Sequence, residues 1–265
     1  MVKHNVSLFR AIPPAFIFWK DNLLKLVFAG LIVAIPMQFT IELSSYLFYD
    51  LMPGNELEKI RHMNSIYNLI RALFWPIATL GIINYTFNHF SGRAEERSAV
   101  GIVLFGLFRW PKYFLASLLA FLKVLLYTLA LIIPGIYKGV RLTFVDCIVA
   151  TKDPGPGKAC DESEMLVKNN WWRIFGFGLL LFLFEMLIEG TIFLPALAMP
   201  DSPFITFTLS MIVKSLVTYL VVLRAVYYFE VDKVRNQELT NAEMVSSEPL
   251  LDSQSAASES GDQQV

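Results

Sequence analysis

Six stretches of this chain are nearly bare of charge, and that restricts where it can fold. They run from about Leu23 to Phe48, Ile66 to Phe90, Tyr113 to Ile133, Ile136 to Ala150, Ile174 to Ala196 and Phe204 to Phe229. A helix crosses the roughly 30 Å apolar core of a bilayer with about 20 apolar residues. No water in that core can satisfy backbone groups, so spanning segments of this kind are expected as helices. The fourth stretch is short and reads two ways: a tilted partial span, or a longer helix reaching back through Pro134. Charged residues make up only 17% of the chain, against roughly 25% in soluble domains, and they gather between the stretches. The expected class is therefore an all-α polytopic membrane protein of about six transmembrane helices, arranged as three antiparallel hairpins with interfacial amphipathic segments.

The short loops set the orientation. Lys3, Arg10 and Lys20 precede the first stretch. Arg93, Arg97, Arg109 and Lys112 follow the second. Lys152, Lys158, Lys168 and Arg173 follow the fourth, and Lys233 and Arg235 follow the sixth. The opposite loops carry only Lys59 and Arg61. Both termini are thus expected in the cytoplasm, in the cell inner (cytoplasmic) membrane. The first 22 residues hold charges and Pro13-Pro14 but no small-residue cleavage site. The first span is expected to serve as an uncleaved insertion signal.

Tryptophan next to a cation recurs before three of the outward-going runs: Trp19-Lys20, Trp110-Pro111-Lys112 and Trp171-Trp172-Arg173. Indole and cationic side chains favour the bilayer interface, with one end apolar and the other wet. Trp19, Trp110, Trp171, Trp172 and Arg173 are accordingly expected as interface anchors on the cytoplasmic side. They divide the membrane domain, residues 1–236, into units 1–92, 93–153 and 154–236. Any hairpin array with an aromatic belt would show a similar pattern without a repeat. The segments leading into the spans differ. Ser7 to Trp19 is interrupted by its two prolines. Ala99 to Phe108 is apolar enough to lie in the interface or dip into the bilayer. Ala159 to Asn170 reads as a polar-rich interfacial helix. Residues 237–265 are expected as a disordered acidic tail. Residues 238–265 hold six acids and no Lys or Arg, which leaves 22 basic against 17 acidic residues before them. That mild basic surplus suits anionic lipid and lacks the clustered stripe of a nucleic-acid binder.

Charges inside spans cost about 2.5–3.5 kcal/mol or more and usually face a partner or water. Counting along each helix places Lys123, Glu185 and Lys214 near the midplane. Arg141 and Glu189 fall nearer the outer face, and Asp146 and Arg224 nearer the inner face. Opposite signs meet at all three levels. One reading is a polar track through the bundle, with Glu185 shared by Lys123 and Lys214. The other is pairwise neutralisation that fixes helix order, with snorkelling at Arg224 and Asp146. Pro36 with Gln38 in the first span, and Trp75-Pro76 in the second, bend a helix or open its carbonyls to a site.

One stretch resembles a known family. Ile133-Pro134-Gly135-Ile136-Tyr137 opens a helix with Arg141. A turn over Lys152 to Gly157 follows, then Lys158-Ala159, Ser163 and Asn170-Trp171-Trp172-Arg173-Ile174-Phe175-Gly176. This resembles the YciC-like inner-membrane proteins of bacteria and the membrane domain joined to some glycerophosphodiester phosphodiesterases. Residues 100–235 carry the likeness, and 1–100 share only the layout. It implies a six-helix domain in the bacterial cytoplasmic membrane and little chemistry. The phosphodiesterase activity belongs to a separate soluble domain and is not carried over.

No His-Glu-x-x-His, Cys-x-x-Cys, Walker loop or Gly-x-Ser-x-Gly is present, so no catalytic residue, metal or cofactor is expected. The expected role is structural or assembly-related, in membrane and envelope homeostasis. Its partners would be membrane lipids and other inner-membrane proteins, with no nucleic acid. The alternative is a transporter or lipid-handling protein using the midplane charges. A hydrated cavity reaching Glu185 would favour the alternative; charges closed in pairs would favour the first.

Overall fold

A computed structural model of the protein describes residues 8–93, 96–198 and 216–240, with side chains from 189 to 198 left aside. These residues are all α. Eight helices run in order: α1 (Leu8–Asp21), α2 (Leu23–Phe48), α3 (Glu56–Phe90), α4 (Ala99–Ala130), α5 (Ile132–Arg141), α6 (Val145–Lys152), α7 (Pro156–Val167) and α8 (Trp171–Ala198). A further helical stretch, α9, covers residues 216–240. Four helices are long and apolar enough to cross a membrane: α2, α3, α4 and the Trp171–Ile188 portion of α8. This is the build of a multi-pass membrane protein.

Local chemistry explains several boundaries. Asn55 and Glu58 form a reciprocal capping box at the start of α3, each side chain taking the other's backbone N–H. This satisfies two otherwise orphaned donors. Ser98 accepts from Gly101 N and opens α4. Only Leu131, in extended conformation, separates α4 from α5, so the chain reverses tightly. Asp153 closes α6 in the left-handed region (φ 54), which a short polar side chain tolerates. Pro156 then starts α7 at a position where its missing N–H costs nothing.

α2 and α3 form the first hairpin, joined through Met37, Ile41 and Ile70. α4 then packs back along α3. Gly81 meets Ile102, Gly106 meets Ile77, and the Trp110 indole donates to the Leu73 carbonyl at 2.7 Å. Each step forward on α4 is a step back on α3, so the pair is antiparallel. A Cβ at either glycine would collide with the opposing backbone, which is why the helices approach so closely. α5 and α6 return along α4, starting where Gly135 lies against Thr128. α7 rests on this pair, with Cys160 Sγ 3.8 Å from the Ala116 carbonyl. α8 meets α9 through Phe177 and Tyr227, whose rings are 4.1 Å apart. α9 meets α3 through Phe87 and Tyr228. Residues from α1 to α9 join in one buried cluster that includes Phe18, Leu80, Ile102, Phe144, Ile174 and Tyr228.

Several expectations are corrected. The fourth stretch does reach back through Pro134, to Ile132, but it is not one continuous helix: α5 has 10 residues and α6 has 8, or about 15 Å and 12 Å at 1.5 Å per residue. Ala99 to Phe108 is not a separate interfacial segment but the first part of α4, which continues to Ala130. Pro13 and Pro14 do not interrupt α1. They fall early in the helix, and the carbonyls they leave without donors belong to the exposed residues Phe9 and Arg10. The helix that contains the second stretch begins ten residues before it, because the capping box extends α3 back to Glu56. The sixth stretch lies partly, and the acidic tail beyond residue 240 wholly, outside the described residues.

Candidate functional site

The site begins at the break between α5 and α6. Residues 142–144 are not helical, and side chains from distant elements take up their backbone groups. Ser163 of α7 donates its hydroxyl to the Arg141 carbonyl at 2.8 Å and accepts from Phe144 N at 3.2 Å. Arg224 of α9 donates through Nη2 to the Thr143 carbonyl. The same nitrogen lies 2.9 Å from Asp146 Oδ1. Asp146 sits in the first turn of α6 and also accepts from Cys147 N at 2.8 Å. A carboxylate is favoured at that helix end.

Arg224 and Asp146 form part of the wall of a cavity of about 250 Å³. α3 contributes Trp75, Pro76, Thr79 and Leu80; α4 gives Tyr113; α8 gives Leu181 and Glu185; α9 gives Val217, Leu220 and Val221. The volume equals the share of about eight waters at ~30 Å³ each. Pro76 has no N–H, so the Ala72 carbonyl loses its helical donor. One turn on, Thr79 donates its hydroxyl to the Trp75 carbonyl at 3.2 Å. One guanidinium and two carboxylates thus share an otherwise apolar and aromatic chamber with a phenol and a hydroxyl. Such a chamber can orient a small polar or charged group. Buried Arg224 Nε has no hydrogen-bond partner among the described residues.

Of the sequence-derived candidates, Asp146, Arg224 and Glu185 meet here. Lys123 does not join them. It reaches α7 instead, 3.2 Å from Asp161 and 3.5 Å from Glu164. Arg141 also turns to Glu164, at 3.8 Å, where Glu189 was the expected partner at its level. The Glu189 side chain and all of Lys214 lie outside the described residues. Lys138 completes the second cluster at 2.7 Å from Glu164. Burial pushes the Glu164 carboxyl up. The Lys138 hydrogen bond and the charges of Lys138, Lys123 and Arg141 outweigh it, so the group titrates below its ordinary range.

The tryptophans act as ties. Trp19 Nε1 donates to Thr218 Oγ1 at 3.2 Å, and Trp171 Nε1 to the Tyr137 carbonyl at 3.2 Å. Trp110 is fixed halfway along α3, at Leu73. Trp172, 77% exposed, is left projecting from the bundle beside Arg173. Below Trp110, Arg109 and Lys112 both contact Asp153.

Residues 80–231 match a protein-family model described as "Domain of unknown function (DUF7847)". The match spans more than half of the chain. The chain belongs to this family. The DUF7847 segment takes in the helix break, Ser163, both charge clusters and the cavity wall except Trp75, Pro76 and Thr79. It also contains the Pro134-Gly135-Ile136 turn and Trp171-Trp172-Arg173. No curated protein and no solved structure matches the chain. Among the described residues, no group of three or more His, Cys, Asp or Glu side chains is placed to hold a metal ion.

Lys138, Asp161, Glu164 and Tyr113 were not marked in the sequence, and Ser163, marked only by the resemblance, had no role assigned to it. Lys138 and Arg141 stand three apart, and so on one helix face. That spacing was the available hint of a shared partner.

Proposed function

We propose that this DUF7847 protein handles a small polar solute or lipid group through the Arg224–Asp146–Glu185 cavity. It acts as a transporter or lipid-handling protein, with no enzymatic step. One observation carries the reading: a cavity inside the helical bundle reaches Glu185 and holds a guanidinium–carboxylate pair beside a broken helix. Non-helical backbone at membrane depth is tolerated where protein buries it or it lines a water-filled cavity, and broken helices at such sites are a recurring device of transporters. The proposed setting is the bacterial cytoplasmic membrane, with both termini inside and six crossings, the fourth made by the broken pair α5–α6 together. It rests on the Lys and Arg asymmetry of the loops and on the likeness of residues 100–235 to the YciC-like proteins.

A second reading, a structural or assembly role, draws on the Glu164 cluster. There Lys123, Lys138 and Arg141 are closed by carboxylates of α7, as in a bundle built only to hold its order.

Cysteine labelling separates the two. Glu185→Cys is made with Cys147 and Cys160, both buried, replaced by alanine. The cavity reading expects modification in intact vesicles by a membrane-impermeant thiol reagent. Protection at position 185, with labelling at an exposed loop control, supports the structural role.

A further inference from the structure

A second opening lies where α3 ends, away from the Arg224 cavity. It is a groove of about 980 Å³ between the last turn of α3, the end of α6 and the final turns of α9. We infer that it binds the phosphate of an anionic phospholipid, with the acyl chains lying along its aromatic wall.

The wall is made of Phe87, Phe90 and Phe229. Phe229 packs 5.7 Å from Phe87 and 6.1 Å from Phe90, ring centre to ring centre. The rim carries three cations: Arg93, Lys152 and Lys233. Lys152 is already committed, 2.7 Å from Asp232 and 3.8 Å from Glu162. Asp232, the groove's carboxylate, is in turn held by Lys152 and by Asn236 Nδ2 at 3.3 Å, so its charge is met from within. Arg93 and Lys233 are exposed. Among the described residues neither has a carboxylate within ion-pair distance, and the Lys233 ammonium stands 6.0 Å over the Phe229 ring. The groove therefore offers two positive charges that no carboxylate among the described residues meets, next to an apolar wall. Its position supports the same occupant. α3 ends at Phe90, its last two turns mixing Phe87 and Phe90 with Asn84, Asn88 and His89, and Arg93 follows within three residues. That is the change from acyl chain to headgroup that a phospholipid makes over the same distance. A free anion would use the cations and leave the three rings unused. Basic pockets between helices at the cytoplasmic boundary are known to take anionic headgroups. The inference does not depend on the solute reading of the Arg224 cavity.

The test uses the full chain in mild detergent, titrated by native mass spectrometry with short-chain phosphatidylglycerol, phosphatidylcholine of equal chain length, and glycerol phosphate. Phosphatidylglycerol should bind at least tenfold more tightly than phosphatidylcholine. Arg93→Gln with Lys233→Gln should weaken it roughly 25-fold, about fivefold per cation, and leave phosphatidylcholine unchanged. Both positions are exposed, so the melting temperature should stay at the wild-type value. Equal affinity for the two lipids, or an unchanged double variant, would overturn the inference. So would glycerol phosphate binding as tightly as the intact lipid, which would make the site one for a free anion.

Discussion

Arg224 and Asp146, 78 residues apart, meet with Nη2 and Oδ1 at 2.9 Å, and the same guanidinium holds the Thr143 carbonyl. The arginine thus ties α9 to both the backbone and the first-turn carboxylate of a broken helix. Asp146 is buried and Arg224 partly exposed, so removing the arginine strands a buried carboxylate and costs about 1–3 kcal/mol.

Arg224→Ala should lower the melting temperature in detergent more than any single substitution on the lipid-facing side of α4. Arg224→Lys should recover little, because a compact, strongly hydrated ammonium is costlier to hold in a partly buried ion pair than a guanidinium. A Lys variant as stable as wild type would mean that charge alone matters at this position. An Ala variant as stable as wild type would remove the tie altogether.

The α3–α4 contact gives a prediction with an internal control. Gly81→Ala and Gly106→Ala each push a methyl group into opposing backbone, at Ile102 and Ile77. Each should cost about 1–3 kcal/mol from overpacking. Gly139 of α5 has open space where its Cβ would stand. Gly139→Ala should be neutral or gain about 0.5–1 kcal/mol in helix propensity. Thermal unfolding of the three variants side by side checks the order. Equal tolerance at all three sites would rule out the close approach.

Glu164 makes stability depend on pH. Its carboxyl is burdened by burial but titrates below the unfolded range because of Lys138, Lys123 and Arg141. A depressed folded value means that the contribution is complete above the unfolded pKa of about 4.3. It is lost as pH falls from there through the folded value. Melting temperature should therefore drop between neutral pH and about pH 3.5 more steeply in wild type than in Glu164→Gln. Parallel curves would show that the three cations do not favour the ionised form.

How much of this could be read in the sequence varies with what each signal encodes. The long apolar helices were legible because length and hydropathy are local. The Asp146–Arg224 pairing was also legible, because both fall at one depth when counted along their helices. The Lys123 pairing was not. Counting gives height and says nothing of which helix face a side chain occupies, and Lys123 faces α7. α7 was read as a polar-rich helix along the interface, and its apolar side is indeed buried at Ala159, Cys160 and Leu166; what the sequence did not mark is that Ser163 and Val167 are buried with them while Met165 is exposed. The break at residues 142–144 had no local mark, since Leu142, Thr143 and Phe144 include neither proline nor glycine. Ser163 and Arg224, both distant in sequence, take up its backbone groups. The Trp110 tie escaped for a similar reason, because an interfacial indole and one bonded to a neighbouring helix look alike in sequence.

Whether water reaches the chamber beside Arg224 is tested most directly by a cysteine scan along α9 from position 217 to 226. Val217, Leu220, Val221 and Arg224 face the cavity, while Val222, Leu223 and Val226 are buried against other helices. Spacings of three and four residues put the first group on one helix face. A membrane-impermeant thiol reagent should label cysteines at 217, 220 and 221 and spare those at 222, 223 and 226. Uniform protection across the scan, or labelling without that periodicity, would contradict access by water.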